Sequence, residues 1–167
     1  MSLRILFEDN HLLVVVKPIN MPVQADISGD LDLLSLCKQY LIESKQKPGE
    51  AYCGLVHRLD RPVSGVMVFA KTSKSASRLS EQIRDKKFKK LYLAKVIGEP
   101  KPDMAKLQHF LLKDEKQKKA MVSLKKNGLA QEAILSYKTL ATNGLTSLLE
   151  IDLYTGRFHQ IRAQLSF

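Results

Sequence analysis

The run Gly65–Ala70 constrains the fold more than any other stretch, because it is short, apolar, rich in valine and closed by Lys71. A run of this kind predicts a buried β-strand. In the segment before it, Pro62 fixes its own φ and biases Arg61 away from helix, while Gly65 permits a close approach of the backbone. The sequence therefore places one carboxylate, that of Asp60, on an ordered turn that leads into a core strand.

The residues around Asp60 allow two interpretations. Asp60 lies between Arg58 and Arg61, and a carboxylate in that setting is commonly an ion-paired or capping residue of a turn. A carboxylate on a rigid loop at the edge of a sheet is also well placed for catalysis. The spacing alone leaves both interpretations open.

The remaining apolar runs predict an α+β fold with a mixed, mostly antiparallel central sheet flanked by helices. The pair Gly29-Asp30 offers the expected N-cap of a first amphipathic helix, and Thr72 or Ser73 is the expected cap of a second. A polar connector is expected over 44–50. Alternating runs separated by turn residues, including Asn-Gly pairs, predict an antiparallel meander in the second half. The predicted helices cover 33–41 and 75–87, and the predicted strands 3–8, 12–17, 65–70, 91–98, 106–112, 119–124, 130–140 and 145–154. A short last helix is predicted to begin near Phe158, with Thr155 as its cap and Arg157 in its first turn.

The charge balance predicts a polyanionic partner. The 167 residues include 27 Lys and Arg against 17 Asp and Glu, a net charge of +10, which fits RNA, DNA or an anionic membrane surface. No apolar run approaches the roughly 20 residues that span a bilayer. The N-terminus lacks the plan of a secretory signal, and two cysteines are too few for a disulfide framework. These features predict a cytoplasmic protein that does not act on membranes.

The sequence also lacks the motifs of several cofactor classes. It has no glycine-rich phosphate loop and no metal-ligand spacing, so we expect no metal and no nucleotide cofactor. The basic cluster from Arg84 to Lys90 is either a ridge that binds phosphates or a solvated helix end.

Three separate motifs resemble those of the RluA-type pseudouridine synthases. They occur in the order expected for that family, and the resemblance covers essentially the whole chain. The motifs are His57-Arg58-Leu59-Asp60-Arg61-Pro62-x-Ser64-Gly65 with Ala70-Lys71, then Lys90-Leu91-Tyr92-Leu93-Ala94, and Thr155-Gly156-Arg157-x-His159-Gln160-Ile161-Arg162.

The resemblance implies a role for particular residues. Asp60 is the expected catalytic carboxylate, Tyr92 the active-site tyrosine that stacks on the target base, and Arg157 the arginine that pairs with Asp60. The side chain of Arg58 is expected to fill the place that an extruded uridine leaves. The implied substrate-binding residues are His57, Arg58, Arg61, Lys71, His159, Ile161 and Arg162.

The resemblance further implies a cofactor-free isomerase that acts as a monomer on uridines of ribosomal RNA or tRNA. Residues 1–167 would form one catalytic domain that lacks its C-terminal end and carries no N-terminal RNA-binding module. Two alternatives remain. One is a non-catalytic basic RNA-binding or ribosome-assembly module on the same fold, and the other is a hydrolase that uses Asp60 with His57 or His159.

Overall fold

The structure is a computed structural model that describes residues 3–45 and 51–167. The chain divides into two compact units, Met1–Phe88 and Lys89–Phe167. Every strand pairing among the described residues is antiparallel. The predicted α+β class is confirmed, with the strands distributed over two sheets.

The described residues of the first unit form a four-stranded sheet with two helices. Its strand order is β1-β2-β4-β3. The predicted strands at 3–8, 12–17 and 65–70 are confirmed, and the two-residue strand β3, which the sequence did not reveal, pairs with β4. The elements are β1 (Arg4–Glu8), β2 (Leu12–Lys17), α1 (Leu33–Lys45), β3 (Gly54–Leu55), β4 (Gly65–Ala70) and α2 (Ser73–Arg84).

The core of the first unit lies between the sheet and α1. Alternate residues of β2 point inward, and they pack with β4 and with one face of the helix. Both cysteines of the chain, Cys37 and Cys53, are free thiols buried in this cluster.

The two helix caps differ in how well they match prediction. Thr72 caps α2 in a capping box with Ser75, as predicted. The predicted cap of α1 was wrong, because Asp32 adjoins the first turn and accepts from Ser35 N at 3.0 Å. The carboxylate of Asp30 instead pairs with Arg61. Of the polar connector predicted over 44–50, residues 46–50 lie outside the described residues.

The second unit is a five-stranded sheet in the order β5-β9-β8-β6-β7, with one short helix. The predicted meander was wrong in one connection, since β6 lies between β7 and β8 and pairs with both. Of the two Asn-Gly pairs, Asn143-Gly144 joins strands that pair with each other, β8 and β9, whereas Asn127-Gly128 lies between β7 and β8, which are separated by β6 in the sheet. The elements are β5 (Leu91–Ile97), β6 (Met104–Asp114), β7 (Lys119–Ser123), β8 (Gln131–Thr142), β9 (Thr146–Leu153) and α3 (Gln160–Leu165).

The core of the second unit lies on one face of its sheet. Leu135, Leu149 and Ile151 are fully buried there, and Ile161 and Leu165 of α3 pack against them. Among the described residues of the chain, no helix combines the length and the hydrophobicity that crossing a bilayer requires.

Candidate active site

The pairing of β2 with β4 sets the position of the Asp60 loop. Lys17, the last residue of β2, lies opposite Gly65, the first residue of β4. The loop over 56–64 therefore begins at the end of β3 and returns beside the end of β2. Within it, Val63 N donates to Asp60 O at 3.0 Å and closes a tight turn. The Asp60 side chain itself lies at the exposed surface of this turn.

Gly65 ends the loop at a point of close approach. A Cβ atom at this position would lie 3.2 Å from Leu59 Cδ1, a tighter contact than most side chains make. The close approach predicted for Gly65 is therefore confirmed.

A wholly buried lysine, Lys17, holds the backbone of the Asp60 loop in place. Lys17 Nζ donates to the carbonyl oxygens of Pro18 at 3.0 Å, Met21 at 2.8 Å and Arg61 at 3.0 Å. Burial lowers the pKa of the Lys17 ammonium, and the negative charge of Asp60 opposes that shift. The backbone directly after Asp60 is thus tied to the end of β2.

Sequence reasoning missed Lys17, which it treated only as the end of an apolar strand. A signal was available, because Leu13, Val15 and Lys17 share one face of β2 by strand alternation. A lysine on an inward face must find acceptors for its ammonium group.

The three other sequence-predicted residues of this loop differ in their surroundings. Arg58 is exposed. His57 is half-buried, its Nε2 accepts from Val68 N at 3.1 Å, and its ring lies 5.8 Å from that of Phe88. Arg61 points its guanidinium at a neighbouring turn over 26–30, where it pairs with Asp30.

Lys71 has partners of its own within the first unit. Its ammonium pairs with Glu8 and donates to Asp9 O, and its side chain is only 5% exposed. Glu8 also accepts from the hydroxyl of Tyr40 at 2.7 Å. The Lys71 ammonium thus has partners inside the first unit, and its predicted role in binding substrate stays a prediction.

The basic cluster after α2 is partly neutralised. Asp85 lies 4.0 Å from Arg84 and 3.5 Å from Lys87, both exposed. Further along, burial lowers the pKa of the Lys90 ammonium. The Asp85 carboxylate therefore offsets part of the positive charge of the cluster.

Tyr92 lies on the inward side of β5, opposite Ile151 of β9. It is half-buried and packs against the core of the second unit. The Tyr92 ring is thus held by packing on one side while part of it remains accessible.

Arg157 is held by a network of buried amides. Gln160 Oε1 accepts from Arg157 N at 3.0 Å and from Thr155 Oγ1 at 2.8 Å, and Gln160 Nε2 donates to Ile134 O at 3.1 Å. Gln160 Nε2 also donates to Gln164 Oε1 at 2.9 Å. The backbone of Arg157 is thereby fixed to β8 and α3.

The Arg157 side chain lines an open cavity. Its Nε donates to Glu132 O at 2.9 Å. The cavity has a volume of about 540 Å³. Its lining consists of Phe110, Lys126, Ala130, Gln131, Glu132 and Arg157.

The structure corrects the predicted start of the last helix. Thr155 does not cap it, because its hydroxyl bonds with Ile134 and Gln160. The N-cap is His159, whose backbone is left-handed at φ 48° and whose ring stacks on Phe158 at 3.8 Å. Consequently Arg157 precedes the helix instead of lying in its first turn.

The two remaining predicted residues both lie in α3. Ile161 packs into the core of the second unit, and Arg162 is exposed. Asp60 belongs to the first unit, whereas Tyr92 and Arg157 belong to the second. The pairing of Arg157 with Asp60 stays a prediction.

The described residues contain no group of three or more histidine, cysteine, aspartate or glutamate side chains placed to hold a metal ion. The chemistry that they offer is that of an exposed carboxylate on an anchored loop in one unit, and of an anchored arginine and a half-buried tyrosine in the other.

A family model described as RNA pseudouridylate synthase matches residues 11–167. The chain belongs to this family. Among the curated relatives of these synthases, the ribosomal large subunit pseudouridine synthase C of Buchnera aphidicola is 37% identical over 160 residues, 95% of this chain and 48% of the relative. The ribosomal large subunit pseudouridine synthase D of Zymomonas mobilis is 34% identical and covers 98% of this chain and 52% of the relative.

Solved pseudouridylate synthases share the architecture. The structure of human RNA pseudouridylate synthase domain containing 4 superimposes with a TM-score of 0.83 at 27% identity, covering 98% of this chain and 64% of that one. The chain spans about half the length of the curated synthases that it matches.

Proposed function

We propose that the chain carries pseudouridine synthase activity on uridines of ribosomal RNA or tRNA, with Asp60 as the catalytic carboxylate. Membership in the synthase family supports the reaction class. The observation that carries the assignment of Asp60 is its place on a closed turn whose following carbonyl, that of Arg61, is bonded to a buried ammonium. Such a loop holds an exposed carboxylate in one direction.

The reaction suits this set of side chains. Conversion of uridine to pseudouridine breaks the bond between N1 and C1′ of the nucleoside, turns the base, and joins C5 to C1′. The C5 proton leaves, and N1 takes up a proton in its place. The product has the same composition as the substrate, so no net oxidation or reduction takes place. A positioned carboxylate serves such a reaction as a nucleophile at the sugar or the base, or as a proton acceptor at the ribose.

Other residues take supporting roles in the proposal. Arg157 favours the ionised form of the catalytic carboxylate. Tyr92 stacks on the target base and takes part in proton transfer at C5. The exposed Arg58 occupies the space left by the extruded uridine. The predicted cytoplasmic location and monomeric state stay predictions.

The test is pseudouridine mapping by carbodiimide-dependent reverse-transcription stops on total RNA. Cells that lack the gene are rescued with wild type, Asp60→Asn or the control Asp103→Asn, which alters an exposed carboxylate in the second unit. We expect Asp60→Asn to lower pseudouridine formation at least about a hundredfold, the lower range for a positioned acid–base group. Asp103→Asn should restore the stops fully.

Each alternative predicts a different outcome. A non-catalytic RNA-binding module predicts that Asp60→Asn restores function as well as wild type does. A hydrolase predicts a released base or a shortened strand, whereas pseudouridine formation changes neither the mass nor the length of the RNA.

A further inference from the structure

An isoleucine stands fully exposed at the tip of an ordered turn in the first unit. Ile27 lies between Asp26 and Ser28 in a loop that follows β2. Ser28 N and Ser28 Oγ both donate to Asp26 Oδ1, at 2.8 Å and 2.5 Å. Gly29 N donates to Asp26 O at 3.3 Å, and Gly29 takes the left-handed φ of +70° that the turn requires. The backbone that carries Ile27 is therefore fixed by local hydrogen bonds.

This Ile27 turn, residues 26–30, is attached to the residue that follows Asp60. Arg61 Nη1 donates to Ser28 Oγ at 3.1 Å and lies 3.9 Å from Asp26, and Arg61 Nη2 pairs with Asp30. The carbonyl oxygen of the same Arg61 is bonded to the buried Lys17 ammonium. One arginine side chain thus joins the Ile27 turn to the residue that follows Asp60.

The attachment distinguishes Ile27 from other exposed apolar residues. Single exposed isoleucines are ordinary on protein surfaces. Ile97, at the end of β5, is 94% exposed and lies in the second unit. Ile97 therefore serves as the reference for an exposed isoleucine outside the Ile27 turn.

The charges of the Ile27 turn favour contact with bases over phosphates. Asp26 and Asp30 bring two carboxylates, and Arg61 offsets one of them. The hydrogen bond from Arg61 holds the pKa of Asp30 below its ordinary value, and the hydroxyl of Ser28 does the same for Asp26. A turn that stays acidic repels the RNA backbone, so its apolar tip is suited to a nucleobase.

We propose that Ile27 is an apolar wedge that inserts into the RNA base stack beside the target uridine. The inference rests on the proposed function, because a stacked uridine must leave the stack before its C5 and N1 can react. Apolar side chains inserted between base steps hold a stack open. Ile27 would offset part of the unstacking cost while Asp60, next to the residue that anchors the turn, meets the extruded nucleotide.

The test compares two RNA substrates. Both carry the uridine found by the mapping experiment, once within a stacked helix and once as an unpaired bulge, and both are labelled with tritium at C5 of that uridine. Tritium release measures turnover of the full chain. The variants are Ile27→Ser, the conservative Ile27→Leu, and the control Ile97→Ser.

A wedge predicts a loss that depends on stacking. Ile27→Ser should lower kcat/KM about tenfold on the helical RNA, the lower range for one lost apolar contact. On the bulged RNA the loss should fall to about twofold or less, since the base is already unstacked. Ile27→Leu and Ile97→Ser should match wild type on both substrates.

Two outcomes overturn the wedge. An equal loss on both RNAs assigns Ile27 a structural role, and unchanged turnover by Ile27→Ser gives it no role at all. If wild type releases tritium from neither RNA, the proposed function is overturned instead. The two failures are thus distinguishable in one experiment.

Discussion

One buried polar side chain holds the Asp60 loop, and another holds the segment that carries Arg157. The chemistry of these two supporting side chains differs. Lys17 supports the first with a charged ammonium that donates to three backbone carbonyls. Gln160 supports the second with a neutral amide that both accepts and donates. An ammonium can only donate, whereas an amide can do both.

The difference follows from the hydrogen-bonding groups that each segment presents to its supporting side chain. Around the Asp60 loop the unpaired groups are carbonyl oxygens, and one cation satisfies several of them at the cost of burying a charge. Around Arg157 the groups are an N–H, a hydroxyl and a carbonyl, which only a side chain with both functions can satisfy. The type of support is set by the backbone groups that the loop presents.

The largest expected effect comes from Lys17→Met, which keeps the length of the side chain and removes its charge. Three carbonyls lose a buried donor, so we expect a loss of about 3 kcal/mol in the free energy of unfolding. Urea unfolding followed by circular dichroism measures it. The control is Lys95→Met on the exposed face of β5, with a change below about 0.5 kcal/mol. If Lys17→Met is as stable as wild type, the anchoring role of Lys17 is wrong.

A smaller effect is expected from Gln160→Ala. Arg157 N and Thr155 Oγ1 lose their acceptor and Ile134 O loses a donor, which predicts a loss of about 2 kcal/mol on neutral hydrogen bonds. Hydrogen exchange of the amides in β8 and β9 measures it within the second unit. Gln82→Ala, an exposed glutamine of α2, is the matched control. Equal exchange in Gln160→Ala and Gln82→Ala would contradict the comparison with Lys17.

The smallest expected effect is a pH dependence of the stability that comes from the buried amides Gln160 and Gln164. Gln164 Nε2 lies 3.1 Å from Nδ1 of His109, and burial lowers the pKa of His109 below its ordinary value of 6.5. The unfolded chain therefore binds a proton at a pH where the folded chain does not. Stability contributed by neutral His109 is present above the unfolded pKa and declines as the pH falls from about 6.5 toward the folded pKa.

The variant His109→Gln keeps a hydrogen-bonding partner for Gln164 and removes the titration. Urea unfolding at about pH 7.5 and about pH 5.5, on either side of the histidine range, measures the decline in wild type and in the variant. The variant should lose less stability than wild type over this interval. The same decline in both proteins would show that other groups cause it.

Local patterns were sufficient for much of the fold. The strand Gly65–Ala70 and the Thr72 cap depend on nearest neighbours in sequence, and both were predicted. The pairing of β6 with both β7 and β8 was not, because strand order depends on contacts between distant residues that no short window contains.

The candidate site shows the same division. Resemblance to a family selected Asp60, Tyr92 and Arg157 as candidates, but it did not reveal the side chains that hold them. Lys17 bonds to a carbonyl 44 positions away, and Gln160 to one 26 positions away. The ion pair of Lys71 with Glu8 likewise joins residues 63 positions apart, and no short stretch of sequence reveals it.

The two buried cysteines allow opening of the first unit to be measured directly. Both thiols of the chain lie in the core of that unit, and the second unit has none. A thiol reagent in excess can react only when this core opens, so its rate of incorporation counts opening events of one half of the molecule. The rate of thiol modification therefore measures how often the unit that bears the Asp60 loop opens, and no labelling site has to be introduced.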